Sequence, residues 1–321
     1  MTTTGELAFS GQGLPVEVPR SSYYDFTSRI TGHDYRIFVA IPPADPPAEG
    51  FPALYLLDGN YAFPTAVAVA SGLALGGDIR PAVIVGIGYQ TVEPAALGAM
   101  RFNDLATQAT ADWIGGLLGH APDGIPGLTI ETICSVDQFL RVIEEEIKPA
   151  IAALARVDSG NQTLMGHSLG GLTVIRALFA APDAFRSFAA GSPSIWWGDR
   201  GVLATEPAFA EAVQAGRAQP RVLIAAGGEE QTVTAAAIRF YGTEANAQEI
   251  LGFVRMVDNA SELGHRLEAI RGGPAYAVRT VIFAEEDHMS VIPAFISRGV
   301  RFALGFDACT ATRPLGNQAK G

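Results

Sequence analysis

A serine between glycines is the first group in this sequence whose surroundings suggest chemistry. The segment Gly166-His167-Ser168-Leu169-Gly170-Gly171 follows a short apolar run and precedes the helix-forming run Leu172 to Phe179. A sharp strand-to-helix turn crowds the backbone, so small residues are expected at Gly166 and Gly170. Such a turn presents the serine hydroxyl above a sheet, where the helix N-terminus favours developing negative charge. Ser168 is therefore predicted to be a nucleophile, with a purely structural glycine-rich turn as the alternative.

A serine hydroxyl needs a neighbouring base, and histidine titrates in the useful pH range. The chain has five histidines, and His288 follows the late apolar run Val278 to Phe283. After a serine turn of this kind the acid comes next along the chain, and the histidine comes last. His288 is thus predicted to be the general base. His167 adjoins the serine but occupies a turn position that points elsewhere, so we expect it to pack or to hydrogen-bond.

The acid that would orient the base has several candidates. The run Val222 to Ala226 leads into a Gly-Gly-Glu-Glu segment, at the place after a strand where an acid is expected. Glu230 is the preferred candidate, Glu229 is the nearest alternative and Asp258 is a more distant one. An exposed carboxylate without a catalytic part also remains open, because exposure is the usual state of Glu.

The elements that must position the serine, the histidine and the acid are predicted to be buried strands. Short apolar runs rich in β-branched residues recur along the chain, and helix-like segments separate them. Continuous apolar runs, as opposed to alternating ones, favour a mostly parallel sheet flanked by helices, which is the α/β class. The runs are Arg36 to Ile41, Ala53 to Leu57, Ala82 to Ile87, Gln162 to Met165, Ser187 to Ala190, Val222 to Ala226 and Val278 to Phe283.

Three longer segments complete the organisation. One helix should begin after Asp137, with Pro149 bending or interrupting it. A second helix is expected from Asn246 to Ala269. The stretch from Thr91 to Val136 has weak periodicity and is longer than an ordinary connection. We expect a lid-like insertion at about 91–136 within a single domain of residues 1–321.

Composition excludes some classes of partner. The chain has 321 residues, of which 48% are hydrophobic and 17% are charged, and this suits a large buried core. The formal net charge is −11 at pH 7. Nucleic-acid binding needs clustered Lys and Arg, so a nucleic-acid partner is not expected.

Cysteine content and the N-terminal residues bear on cofactors and location. Cys134 and Cys309 are too few for a disulfide framework, and their spacing suggests no metal site. We therefore expect reduced thiols, no metal and no organic cofactor. Residues Met1 to Gly13 lack a basic start with an apolar core, and no transmembrane run of about 18 apolar residues occurs. Cytoplasmic residence without a membrane partner is the expectation, and the oligomeric state is unknown because no heptad seam appears.

These residues resemble the esterase-D-like esterases of the α/β-hydrolase superfamily, especially the branch of bacterial siderophore esterases. The resemblance covers most of the chain and implies the α/β-hydrolase fold with a serine esterase activity that passes through an acyl-enzyme. It also favours Glu230, because relatives show a Gly-x-x-Glu pattern there. The segments that carry it are Pro52 to Gly59, Gly166 to Gly171, Ser192 to Trp197 and His288 to Val291.

The resemblance implies further site residues. Backbone amides of Asn60 and Leu169 would form the oxyanion hole, where losing one donor costs on the order of 10²–10³ in rate. An ordinary turn at Asn60 is the alternative. Trp196 and Trp197 would either line the substrate pocket or fill the core. Arg101 would contact the substrate near the site entrance.

The expected substrate is a small-molecule ester with a bulky acyl part, such as a siderophore trilactone. A general carboxylesterase and a carbohydrate (feruloyl or acetyl) esterase are the alternatives within the same chemistry. A non-catalytic α/β-hydrolase-like binding protein is the alternative from another class.

Overall fold

A single mixed sheet lies at the centre of the computed structural model, which describes residues 16–119 and 124–306. Its eight strands pair in the order β1-β2-β4-β3-β5-β6-β7-β8. The strands are β1 (Ser21–Thr27), β2 (Asp34–Ala40), β3 (Phe51–Leu57), β4 (Val83–Tyr89), β5 (Val157–His167), β6 (Ser187–Gly191), β7 (Arg221–Gly227) and β8 (Ala277–Phe283).

The sheet is parallel from β4 to β8, and only the β1–β2 and β2–β4 pairs are antiparallel. The prediction of a mostly parallel sheet is confirmed, and each of the seven predicted runs overlaps a strand. β1 was missed because it is a mostly exposed edge strand with no apolar run. Most of the runs were expected to be strands buried on both faces, but β8 forms the other edge of the sheet and its residues are exposed or half-buried.

Helices cover both faces of this sheet. On one face, α1 and α12 pack against Leu56, Met165 and Leu223. On the other face, the helices that surround α6 enclose the larger part of the core. The helices are α1 (Gly59–Leu75), α2 (Pro94–Leu105), α3 (Ala111–Gly119), α4 (Val136–Val142), α5 (Lys148–Leu154), α6 (Leu169–Ala180), α7 (Trp197–Arg200), α8 (Glu206–Gln214), α9 (Ala235–Tyr241), α10 (Glu244–Val254), α11 (Met256–Glu268) and α12 (Val291–Leu304).

Two of the predicted helices are interrupted. A π-helical turn, Ile143–Ile147, separates α4 from α5 directly before Pro149, as expected for a residue without an N–H donor. The single helix predicted from Asn246 to Ala269 is wrong, because the chain breaks at Arg255 between α10 and α11. Arg255 has a left-handed backbone with φ of 44°, which cannot continue a right-handed helix.

The sheet direction brings several loops together. Parallel strands end at the same edge, so the loops after β3, β5, β7 and β8 are neighbours there. Cys134 is a free thiol, and burial raises its pKa. Cys309 and residues 1–13 lie outside the described part of the chain. No helix within 16–119 or 124–306 has the length and apolarity needed to cross a membrane.

Candidate active site

The turn between β5 and α6 holds Ser168 in a conformation that is rare for a residue with a side chain. Its φ is 60° and its ψ is −119°, and its N–H donates to the Gly191 carbonyl at 2.9 Å. A Cβ on Gly166 would lie 2.5 Å from the Gly170 carbonyl oxygen, so Gly166 is required by space. A Cβ on Gly170 would make only ordinary contacts from 3.4 Å, so the expected steric need at that position is not found.

Three side chains from the carboxyl edge form a continuous hydrogen-bonded chain. The imidazole Nε2 of His288 lies 3.0 Å from Ser168 Oγ. Its Nδ1 lies 2.6 Å from Glu230 Oε2. A carboxylate that accepts from Nδ1 holds the ring so that Nε2 faces the serine, which is the arrangement needed for proton transfer from the hydroxyl.

The carboxylate of Glu230 is held from a second side. The residue is 3% exposed, and its Oε1 accepts from Ser192 Oγ at 2.5 Å and from the Gly227 N–H at 2.6 Å. Ser192 has a positive φ of 40°, and its N–H donates to the Ala225 carbonyl at 2.6 Å. Sequence reasoning missed this contact, although Ser192 begins one of the segments that carry the family resemblance.

The other two acid candidates lie elsewhere. Glu229 is on the wall of the pocket next to Ser168, whereas the carboxylate hydrogen-bonded to His288 Nδ1 is that of Glu230. Asp258 accepts from Gln231 Nε2 at 2.8 Å, and this bond and the guanidinium of Arg255 lower its pKa. Of the three carboxylates that the sequence offered, the structure brings Glu230 to the imidazole.

The first turn of α1, directly after β3, is anchored through polar contacts. The Asn60 side chain donates to the Tyr89 carbonyl and accepts from the Tyr89 N–H, both at 2.8 Å. Asp58 has a left-handed backbone with φ of 56°. The structure therefore places Asn60 at the same edge as Leu169, which is the first residue of α6 and follows the serine directly.

Arg101 does not have the contact that was predicted for it. It was predicted to contact substrate near the entrance, but its guanidinium donates to both carboxylate oxygens of Asp58, at 2.6 and 3.0 Å. Burial opposes the charge of Arg101, and the Asp58 carboxylate more than offsets this, so that the arginine pKa is raised. A buried carboxylate needs a charged partner, and the guanidinium of Arg101 supplies it for Asp58 instead of binding the substrate.

His167 contacts the catalytic region without joining the hydrogen-bonded chain. Its ring centroid lies 4.6 Å from that of His288. Within the described residues its Nε2 is buried without a partner. Burial, and then the charges of His288 and Arg101, hold its pKa well below the ordinary value, so the ring stays neutral.

A pocket of about 340 Å³ opens beside the serine. It has an apolar, partly aromatic wall contributed mainly by the region from β7 to α11. The residues that line it are Ser168, Ser194, Trp196, Glu229, Glu230, Thr234, Ala236, Ala237, Phe240, Tyr241, Leu251, Val254, Met256, Asp287, His288 and Met289. It is large enough for one arm of a bulky ester.

The two adjacent tryptophans have different surroundings. Trp196 lines the pocket, and its ring packs against Trp113 and Phe253. Trp197 is fully buried, and its Nε1 donates to the Thr107 carbonyl at 2.7 Å. Of the two alternatives that the sequence left open, Trp196 therefore lines the pocket and Trp197 fills the core.

The segment 91–136, expected to form a lid, contributes α2 and α3. Its residues Leu105, Ala106 and Ile114 are buried in the core. None of the described residues of this segment is part of the pocket wall, but Trp113 contacts the wall residue Trp196. A mobile lid in this segment stays a prediction.

A serine on a strand-turn-helix, a histidine after the last strand and a carboxylate between them, all at the carboxyl edge of a mostly parallel sheet, define the α/β-hydrolase class. Comparison with known proteins specifies the family. The esterase family model described as "Putative esterase" matches residues 130–252.

Relatives match over nearly the whole chain. Ferri-bacillibactin esterase BesA of Bacillus subtilis is 35% identical over 89% of this chain and 90% of its own length. Siderophore triacetylfusarinine C esterase of Aspergillus fumigatus is 31% identical over 89% of this chain and 94% of its own length. The crystal structure of the BES protein from Bacillus cereus superimposes with a TM-score of 0.74 at 26% identity, covering 93% of this chain and 100% of that one. The chain belongs to the branch of the esterase family that contains these siderophore esterases, and it is an ester-hydrolysing enzyme.

Proposed function

We propose that Ser168 attacks the ester carbonyl while His288 Nε2 accepts the hydroxyl proton. His288 then donates that proton to the leaving alcohol, and an acyl-enzyme forms on Ser168. Water, activated by the same histidine, releases the acid and restores the serine. Glu230 keeps the imidazole oriented and stabilises its protonated form. The observation that carries this mechanism is the Ser168–His288–Glu230 chain at 3.0 and 2.6 Å.

Charge on the carbonyl oxygen would be stabilised by the backbone N–H groups of Asn60 and Leu169. Leu169 lies at the N-terminus of the 12-residue helix α6, where the helix dipole also favours negative charge. Asn60 is fixed by its paired hydrogen bonds to Tyr89. Preorganised donors of this kind cost no reorganisation during the reaction.

The proposed substrate is a siderophore ester, in which one bulky arm enters the pocket beside Ser168. The substrate classes in the names of the relatives support this choice, and so does the apolar wall that includes Trp196 and Phe240. The pocket volume of about 340 Å³ is at the low end for small-molecule sites, so an arm fits and a complete trilactone does not. Cytoplasmic residence, where imported siderophores would be opened, is part of this proposal and can be tested by cell fractionation.

The mechanism is tested by Ser168→Ala and His288→Ala. Each should remove nearly all hydrolysis of 4-nitrophenyl butyrate while circular dichroism stays unchanged, and the double variant should be little worse than either single one, because the two residues act as a unit. Full turnover by the folded Ser168→Ala protein would refute the mechanism. Failure of folded wild-type protein to react with a fluorophosphonate probe would contradict an activated serine nucleophile.

The substrate proposal is tested by kcat/KM for three ester types: siderophore trilactones, feruloyl or acetyl carbohydrate esters, and short 4-nitrophenyl esters. The ratio of kcat/KM values measures differential transition-state binding directly. We expect the siderophore esters to be preferred. Preference for simple esters with no trilactone cleavage would instead support a general carboxylesterase, and preference for the sugar esters a carbohydrate esterase.

A further inference from the structure

The carboxylate of Glu229 is a charged group on the pocket wall that the proposed mechanism does not use. Glu229 comes shortly after β7, and its backbone N–H donates to the Glu286 carbonyl at 3.0 Å, which fixes the residue at the wall. Among residues 16–119 and 124–306, its carboxylate has no hydrogen-bonding or ionic partner. Its charge is therefore not offset by a direct contact.

Other groups on the same wall add to the negative field. Asp287 also lines the pocket, and it is held by the N–H groups of Met289 and Ser290, each at 2.9 Å. Tyr241 faces the same space, and burial together with the charge of Glu230 raises its pKa, so the phenol stays neutral. The acidic groups of the wall thus give the pocket a negative charge. His288 is the one basic group among the described residues of the wall.

Arginines near the pocket do not neutralise this field. Arg255 lies between two wall residues but is bonded to Asp258, with Nη2 to Oδ2 at 3.0 Å. Arg101 is bonded to Asp58. Arg239 is on α9, yet it is not part of the wall. No lysine or arginine from the described segments lines the pocket.

We propose that Glu229 is a specificity-determining residue that makes the pocket accept uncharged ester arms and reject anionic ones. This inference deepens the proposed function and rests on it. An uncharged acyl or aryl arm gains the apolar contacts of Trp196 and Leu251, whereas an anionic arm in the same place is repelled by Glu229. Among siderophore esters, the enzyme prefers substrates whose arms are uncharged at neutral pH over anionic iron complexes.

The kinetic test compares 4-nitrophenyl butyrate with 4-nitrophenyl hemisuccinate, which differ by a terminal carboxylate on an acyl chain of equal length. In wild-type enzyme the butyrate should have a kcat/KM about tenfold higher, which corresponds to about 1.4 kcal/mol. In Glu229→Gln the ratio should fall toward about threefold. Glu244→Gln, which removes an exposed glutamate outside the pocket wall, should keep the wild-type ratio. Higher salt should narrow the wild-type ratio, because mobile ions screen the repulsion.

A binding experiment separates this inference from the hydrolytic mechanism. Isothermal titration calorimetry would compare two single-ring ligands that are not cleaved, uncharged 4-ethylbenzamide and anionic 4-carbamoylbenzoate. The uncharged ligand should bind about tenfold more tightly to wild-type and to Glu244→Gln protein. In Glu229→Gln the difference between the two affinities should be smaller. Equal affinities in wild-type protein, an unchanged gap in Glu229→Gln, or no binding of either ligand at millimolar concentration would overturn the role of Glu229. Loss of the proposed function would show itself differently, as a preserved gap in binding with no turnover of either 4-nitrophenyl ester.

Discussion

Glu230 is oriented by three donors at once: the imidazole of His288, the hydroxyl of Ser192 and the backbone N–H of Gly227. A carboxylate with this many hydrogen bonds is fixed in place. The position of His288 therefore depends on groups from the ends of β6, β7 and β8. Removing one of these groups should loosen the imidazole without unfolding the protein.

We predict that Glu230→Gln lowers kcat strongly, by up to about 10⁴, because an amide favours the wrong imidazole tautomer. Ser192→Ala should have a smaller effect of about tenfold, since Gly227 still fixes one carboxylate oxygen. Asp258→Asn is the matched control and should keep wild-type kcat. Steady-state kinetics with 4-nitrophenyl butyrate measures all three. Full activity of Glu230→Gln together with inactivity of Asp258→Asn would move the acid to Asp258.

His167 makes stability depend on pH. Its pKa in the folded protein lies well below the ordinary 6.5, so between these two values the unfolded chain binds a proton that the folded protein does not. Stability from this group is complete above about pH 6.5 and is lost as the pH falls, with a slope of at most about 1.4 kcal/mol per pH unit. In urea unfolding between pH 5 and 7.5, His167→Phe should show a flatter dependence than wild-type protein. His265→Asn, on an exposed helix position, should keep the wild-type slope, and an unchanged slope in His167→Phe would contradict the assignment.

At the scale of elements, α2 supports the first turn of α1, which carries Asn60. Arg101 reaches from α2 to Asp58 directly before α1, so one ion pair fixes the backbone from which the proposed oxyanion donor would point. Asp58 is 5% exposed, and an unpaired carboxylate at such a place is costly. The pair therefore links the packing of α2 to the geometry of the site.

We predict that Arg101→Gln lowers kcat more than it raises KM, because an oxyanion contact is made chiefly in the transition state. It should also lower the free energy of unfolding by about 3–5 kcal/mol, as expected when one partner of a buried ion pair is removed. Arg101→Lys should restore part of both, since it returns the charge but not the two parallel bonds. Arg141→Gln, which breaks an exposed helix pair, serves as control. A change confined to KM would instead indicate direct substrate contact by Arg101.

Local patterns predicted the elements better than the contacts between them. Apolar runs identified the strands, and the glycine-serine turn and the late histidine could be named because each is a short segment with its own conformational requirement. The partner of Arg101 is 43 residues away along the chain, and no local pattern reveals such a pair. Trp196 and Trp197 are neighbours in sequence, so which of them faces the pocket is decided by the turn that holds them. The pocket wall from α9 and α10 was also missed, because their apolar residues face a cavity that only the assembled fold creates.

For the molecule as a whole, the site depends on one edge of the sheet. His288 follows β8, an edge strand that pairs only with β7 and packs on α11. Ser168 follows β5 in the middle of the sheet, where both neighbours are strands. The proposed nucleophile and base therefore depend on a central strand and on an edge strand of the sheet, respectively.

We predict that activity is lost at lower urea concentration than the global fold. Opening of the β8 edge would remove His288 while the sheet centre persists. The rings of Trp113, Trp196 and Trp197 contact one another and Trp197 is fully buried, so tryptophan fluorescence reports mainly the core outside β8. Activity and fluorescence should be followed in the same samples, with circular dichroism as a further probe. Coincident midpoints for all three would contradict the separate opening of the edge.

The position of His288 after β8 also has a consequence during synthesis of the protein on the ribosome. During translation the serine turn emerges from the ribosome well before the histidine, with Glu230 in between. In the proposed mechanism, a nascent chain that has already folded its central strands would carry the nucleophile Ser168 without His288 to activate it. Hydrolytic activity would then begin only when β8 and His288 have left the exit tunnel and β8 has docked on β7. Chains truncated before β8 would not hydrolyse cellular esters, even if the other strands of the sheet had formed.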